Sequence, residues 1–67
     1  MTEYRVALNN APRLRVMARS ALDAVQMAVR MFPKARLAVA IDPGSIVSSF
    51  RIDRTGAAWL LDEEPED

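Results

Sequence analysis

RLRVMARSALDAVQMAVRMF, residues 13–32, changes its hydrophobic period once, and the fold follows from where it does so. Leu14, Val16 and Ala18 alternate with Arg13, Arg15 and Met17. A period of two marks a half-buried strand. From Ser20 onward the period becomes helical. The Ser20 hydroxyl is placed to cap a free backbone N–H, and Asp23, three residues on, completes a capping box at the positive end of the helix. Pro33 stops it, because the residue before a proline is pushed away from helical angles. The spacing therefore predicts a helix from 21 to 31 or 32.

Turned by about 100° per residue, Asp23, Gln26 and Arg30 share a narrow polar arc. Leu22, Val25, Val29 and Phe32, with Ala21 and Ala28, form the opposite, core-facing side. Met27 and Met31 flank the polar arc one turn apart, and Ala24 lies between them and the core face. The apolar surface exceeds what one sheet contact needs. Met27, Met31 and Ala24 are thus a candidate interface, since thioethers adapt to a partner surface as readily as they fill a core.

Outward from this stretch, EYRVAL (3–8) alternates like residues 13–18, with Tyr4, Val6 and Leu8 in phase. Asn9-Asn10-Ala11-Pro12 between the two is turn chemistry, because Asn tolerates left-handed angles and Pro cannot donate to a ladder. An antiparallel hairpin is expected. After the helix, ARLAVAI (35–41) puts Leu37, Val39 and Ile41 on one face, while Ala38 and Ala40 let another layer approach closely. Asp42-Pro43-Gly44-Ser45 reads as a type II turn with Gly44 at the positive angle. IVSSFRID (46–53) places Ile46, Phe50 and Ile52 in phase. Asp53-Arg54-Thr55-Gly56 reads as a type I turn closed by a left-handed glycine, and AAWLL (57–61) is the last strand. The order β-β-α-β-β-β implies an α+β fold: a mainly antiparallel sheet with one helix packed on one face. The domain is expected over 1–61. The acidic residues 62–67, DEEPED, have nothing to bury and are expected to be a disordered tail.

Composition limits what such a domain can do. The 67 residues are 51% hydrophobic, which is 34 side chains, but 11 of these are alanine and only 23 are larger. A core that small yields no more than ~3–5 kcal/mol of net stability. Association with a second copy would bury more, so a homodimer is expected. No apolar run is long enough to span a bilayer, and MTEYRVALNN lacks the layout of a secretory signal, so a cytoplasmic location is the expectation.

Chemistry-bearing signatures are sparse. With no His and no Cys, imidazole and thiolate catalysis and their metal sites are excluded. Both glycines serve turns, so no glycine-rich loop cradles phosphate. No cofactor is implied, and the expected activity is binding rather than catalysis. The zero net charge conceals an asymmetry. Residues 1–36 carry seven basic and two acidic side chains, and residues 37–67 carry two basic and seven acidic ones. If Leu14 and Val16 point inward, Arg13 and Arg15 point outward, as does Arg5 on the neighbouring strand, and Arg51 lies out of phase with Phe50 and Ile52.

Two functional expectations follow. The first is a non-enzymatic protein-interaction module that assembles through the Met27/Met31 flank or a sheet edge. The second is a nucleic-acid-binding module on an arginine face of Arg5, Arg13, Arg15 and Arg51, modulated by the acidic tail. Arginines on an open face also serve simply to blunt edges and keep a sheet soluble. The strand-to-helix transition VMARSALDA (16–24) resembles many short bacterial and phage reading frames. The charge layout, though no motif, resembles single-strand-binding proteins with basic cores and acidic C-terminal tails.

Overall fold

Hairpin, helix and meander all form where the periods place them. The computed structural model describes residues 1–61. It contains β1 (Thr2–Leu8), β2 (Ala11–Ala18), α1 (Ala21–Met31), β3 (Leu37–Ile41), β4 (Val47–Ile52) and β5 (Ala58–Leu60). The strands make one sheet in the order β2-β1-β3-β4-β5, each neighbouring pair antiparallel. The chain is α+β, with one helix on a five-stranded antiparallel sheet. The acidic residues 62–67 lie outside the described residues. Because β1 sits between β2 and β3, the chain leaves one edge, forms α1 and re-enters on the far side of β1. That crossover lays α1 over β1, β2 and β3.

Register then decides which side chains meet the helix. Val6 pairs with Ala40, Leu8 with Ala38, and Ala38 with Phe50, so this phase faces α1. All five are buried there, together with Ile52 and Val16. The opposite phase, including Leu37, Val39 and Ile41, lies on the uncovered face. The helix is rolled relative to the expectation: Ala24, Val25, Ala28 and Val29 are its buried residues, and Leu22 is 41% exposed. The reason is size. Ala38 and Ala40 under the helix, with Ala18 beside them, let a small-residue stripe approach the sheet more closely than leucine could.

Local chemistry closes the helix. The Ser20 hydroxyl accepts from the Asp23 N–H at 3.1 Å. The Asp23 carboxylate accepts in return from the Arg19 N–H at 3.3 Å, one residue earlier than in the reciprocal box. At the other end the Phe32 N–H still donates to the Ala28 carbonyl, and Pro33 follows.

The turns bring two corrections. Neither Asn9 nor Asn10 has positive φ. Instead the Asn9 side-chain oxygen accepts from the N–H groups of Arg36 and Leu37, at 2.9 and 3.1 Å, clamping the hairpin to the start of β3. Asn9 is thus a tertiary splice rather than a left-handed turn residue. Nor is Asp42-Pro43-Gly44-Ser45 a type II turn, for the positive φ (67°) is at Ser45, one residue after Gly44. The loop copies its neighbour. In each, the aspartate carbonyl accepts from the residue three on, and its Oδ1 accepts from the residues two and four on. The fourth position is left-handed in both: Gly56 in one (φ 91°), Ser45 in the other.

Ser45 therefore carries a strain that Gly56 avoids, since a left-handed angle costs a residue with a Cβ ~1–2 kcal/mol. Ser45→Gly is expected to stabilise the protein by about 0.5–1 kcal/mol once the extra freedom of unfolded glycine is subtracted. A urea titration reads this as a higher midpoint at unchanged slope. A lower midpoint would mean that the Ser45 hydroxyl has a role outweighing the strain.

Candidate functional site

The uncovered face of the sheet collects the arginines. Arg5 stands directly opposite Arg15 in the β1–β2 register, and Arg13 lies two residues along on the same side of β2. Arg51 shares the face but is set apart, across β3, opposite Leu37 on one side and Trp59 on the other. Between the two groups run Leu37, Val39 and Ile41 of β3, with Val47 of β4 beside Ile41. The face is therefore a basic strip on β1–β2, an aliphatic strip on β3–β4, and an arginine–tryptophan pair at the β5 edge. A shallow cleft of about 200 Å³ lies where the first two strips meet, lined by Arg5, Arg13, Val39 and Ile41 among others.

Trp59 is held rather than loose. Its indole N–H donates to the Asp53 carboxylate at 3.0 Å, and the Arg51 guanidinium carbon stands 5.9 Å from the ring centre, a cation–π arrangement. Asp53 also accepts from the Thr55 hydroxyl and from the Thr55 and Ala57 N–H groups. The Thr55 hydroxyl first, then the indole, keep its carboxyl far below the ordinary aspartate range. The carboxylate stays charged at any physiological pH and keeps the ring in place, yet Trp59 is 53% exposed.

A second surface lies along the β2 edge. Met27 and Met31 of α1, with Met17 of β2, line an apolar groove of about 470 Å³ rimmed by Arg15 and Arg30. All three methionines are exposed. Ala24 does not belong to this surface: it is wholly buried against the sheet and unavailable to a partner. β2 is the outer strand on that side, so its eight residues offer an unpaired edge beside the groove. The other edge, β5, has three residues.

Sequence reasoning missed one feature here and left a second open, the outward placement of Trp59. Met17 falls ten residues before Met27, on a different element, so no single periodicity joins them. The orientation of Trp59 depends on the β4–β5 register, for which the Asp53–Gly56 loop was the only local signal. Among the described residues no His, Cys, Asp and Glu cluster is arranged to hold a metal ion, and no helix is long and apolar enough to cross a membrane. No protein-family model matches the chain, and neither a curated protein nor a solved structure matches it significantly, so its function has to be read from these two surfaces.

Proposed function

We propose that the protein is a non-enzymatic interaction module that pairs with a second copy of itself along the β2 edge. The observation that carries this reading is the convergence of Met17, Met27 and Met31 beside an unpaired eight-residue strand. A free edge supplies main-chain hydrogen bonds to an added strand, and pockets for alternate side chains supply specificity. Long exposed edges are ordinarily blunted. Here Pro12 blunts only the start of β2, and the strand from Arg13 to Ala18 remains able to pair.

A second copy suits the groove because a two-fold axis brings the same methionines together from both sides. It also answers the shortage of core. Among the described residues, eleven large apolar side chains are exposed, against seven buried ones larger than alanine. The arrangement has an electrostatic cost, since antiparallel β2 strands bring like-charged Arg13 and Arg15 side by side. Opposed like charges destabilise by a few tenths of a kcal/mol to about 1 kcal/mol per pair, less than burying one methionine contributes. The dimer is therefore expected to tighten with added salt.

The double substitution Met27→Glu/Met31→Glu tests the reading. It is expected to weaken dimerisation at least ~100-fold, because each buried methionine contributes ~1.5 kcal/mol or more. Light scattering and sedimentation measure this, and far-UV circular dichroism checks the fold. A monomeric wild type, or a mutant that stays dimeric, would count against it.

A further inference from the structure

We propose that the open face of the sheet binds single-stranded nucleic acid, with phosphates on Arg5, Arg13 and Arg15 and an unpaired base stacked at Trp59. This surface is present in each single copy, so the proposal does not rest on pairing through β2.

Three features of the face point the same way. The first is charge. Arg5, Arg13, Arg15 and Arg51 share the face with one acidic strand residue, Glu3, which lies opposite Met17 at the end of β1. Of the rim aspartates, Asp53 turns both side-chain oxygens to its own loop and the Trp59 indole, and Asp42 turns Oδ1 into its own loop. Asp42 and Glu3 line a cleft with Arg5 and Arg15, so the strip's charge is partly offset at that end and strongest toward Arg13. Setting Arg5 directly across from Arg15 is unfavourable in an empty protein. A polyanion turns that repulsion into affinity. Arg13 and Arg15 are two residues apart on one strand, so their Cα atoms are ~6.6–6.8 Å apart, and their side chains form a comb along a phosphodiester chain.

The second feature is the platform. Trp59 is half exposed, pinned through its indole N–H by Asp53, and backed by Arg51. A base stacking on it extends an arginine–indole pair that already exists. A ring fixed before binding loses little entropy when the base arrives. The third is the floor between them. Three inter-strand steps separate β1 from β5, about 14 Å. That interval is lined by Leu37, Val39, Ile41 and Val47, with Ser49 opposite Val39, and offers bases a largely apolar surface.

These features favour a single strand over the alternatives. In a duplex the bases are already stacked on one another, and this sheet face has no protruding element to enter a groove. An acidic peptide would satisfy the arginines but leave Trp59 and the aliphatic floor without a partner. The chain's own acidic residues 62–67 begin two residues after the end of β5 at Leu60 and carry five carboxylates, so they are the natural competitor for the same arginines.

Trp59 is the protein's one tryptophan, which gives the test an internal probe. The full chain is titrated at low salt with oligo(dT) and oligo(U) of about ten nucleotides. A duplex of equal length and a polyglutamate peptide of equal charge serve as comparators. A second protein, with Asp62, Glu63, Glu64, Glu66 and Asp67 changed to amides, is run in parallel so that a competing acidic segment cannot hide the face. Quenching of Trp59 emission by the single strands is expected, with log affinity falling against log salt at a slope of roughly −2 for three phosphate contacts.

Arg15→Ala is expected to lower affinity for every sequence and to flatten that slope by about 0.7. Trp59→Leu, followed by anisotropy of a labelled oligonucleotide, is expected to lose about 10-fold in affinity while keeping the slope. Unchanged far-UV spectra show that both variants still fold. The proposal is overturned if neither protein binds single strands at low salt. It is equally overturned if polyglutamate or duplex binds as tightly, or if Trp59→Leu leaves affinity unchanged.

Discussion

Phe50→Ala is expected to leave the isolated chain largely unfolded at 25 °C. Phe50 is 3% exposed and is the largest buried side chain, sitting on β4 between Ala38 of β3 and Leu60 of β5. Replacing a buried phenylalanine by alanine costs ~3–5 kcal/mol in lost transfer energy and cavity. A chain of this size has no more than about that much net stability to lose. The neighbours cannot make up the deficit. Six of the thirteen buried apolar residues are alanines, which have no side-chain atoms to swing into the void. Far-UV circular dichroism and Trp59 emission should both report an unfolded spectrum without denaturant. Raising protein concentration should restore part of the signal if association stabilises the folded state by mass action. A cooperative transition with less than about 1 kcal/mol lost would show that the weight of the core lies elsewhere.

Much of the fold was legible because its signals are local. Strict alternation marked β1 and β2, the Ser20 cap and Pro33 bounded α1, and the two Asp-initiated loops joined β3, β4 and β5. The pairing of β1 with β3 carried no such signal. It joins segments separated by a helix, and its clamp is the Asn9 side-chain oxygen, reaching 27 and 28 residues along the chain. Nothing in Asn9-Asn10 distinguishes that role from ordinary turn chemistry. The arginine face was readable for the same reason the strands were, since period two fixes Arg5, Arg15 and Arg51 opposite the buried phase. What alternation could not reveal is that β3 puts its larger side chains on the open side. Leu37, Val39 and Ile41 outrank Ala38 and Ala40 in hydrophobicity, yet the alanines meet the helix. Closeness of approach, rather than hydrophobicity, chose the inner phase.

Ala28→Leu tests that reasoning, and the expected result is a loss of ~3 kcal/mol or more. Leucine and alanine are both good helix formers, so the substitution leaves the local preference of α1 nearly unchanged. On a hydrophobicity scale the mutation should stabilise, because it adds buried carbon. The geometry predicts the reverse. Ala28 is wholly buried on the stripe that α1 rests against the sheet, so three more carbon atoms have no open space to enter. Overpacking of this kind costs typically ~1–3 kcal/mol where the surroundings can shift, and occasionally more. Here the surroundings are the backbones of α1 and β3, so the helix must lift and uncover Val25 and Val29 beside it. Ala28→Gly removes volume instead of adding it, and should cost about 2 kcal/mol, about 1 kcal/mol from helix propensity and about 0.8 kcal/mol from the lost buried methyl. Urea unfolding of the two variants is decisive. A leucine variant less destabilised than the glycine variant would mean that the helix–sheet spacing is set by the larger side chains around it and not by the alanine stripe.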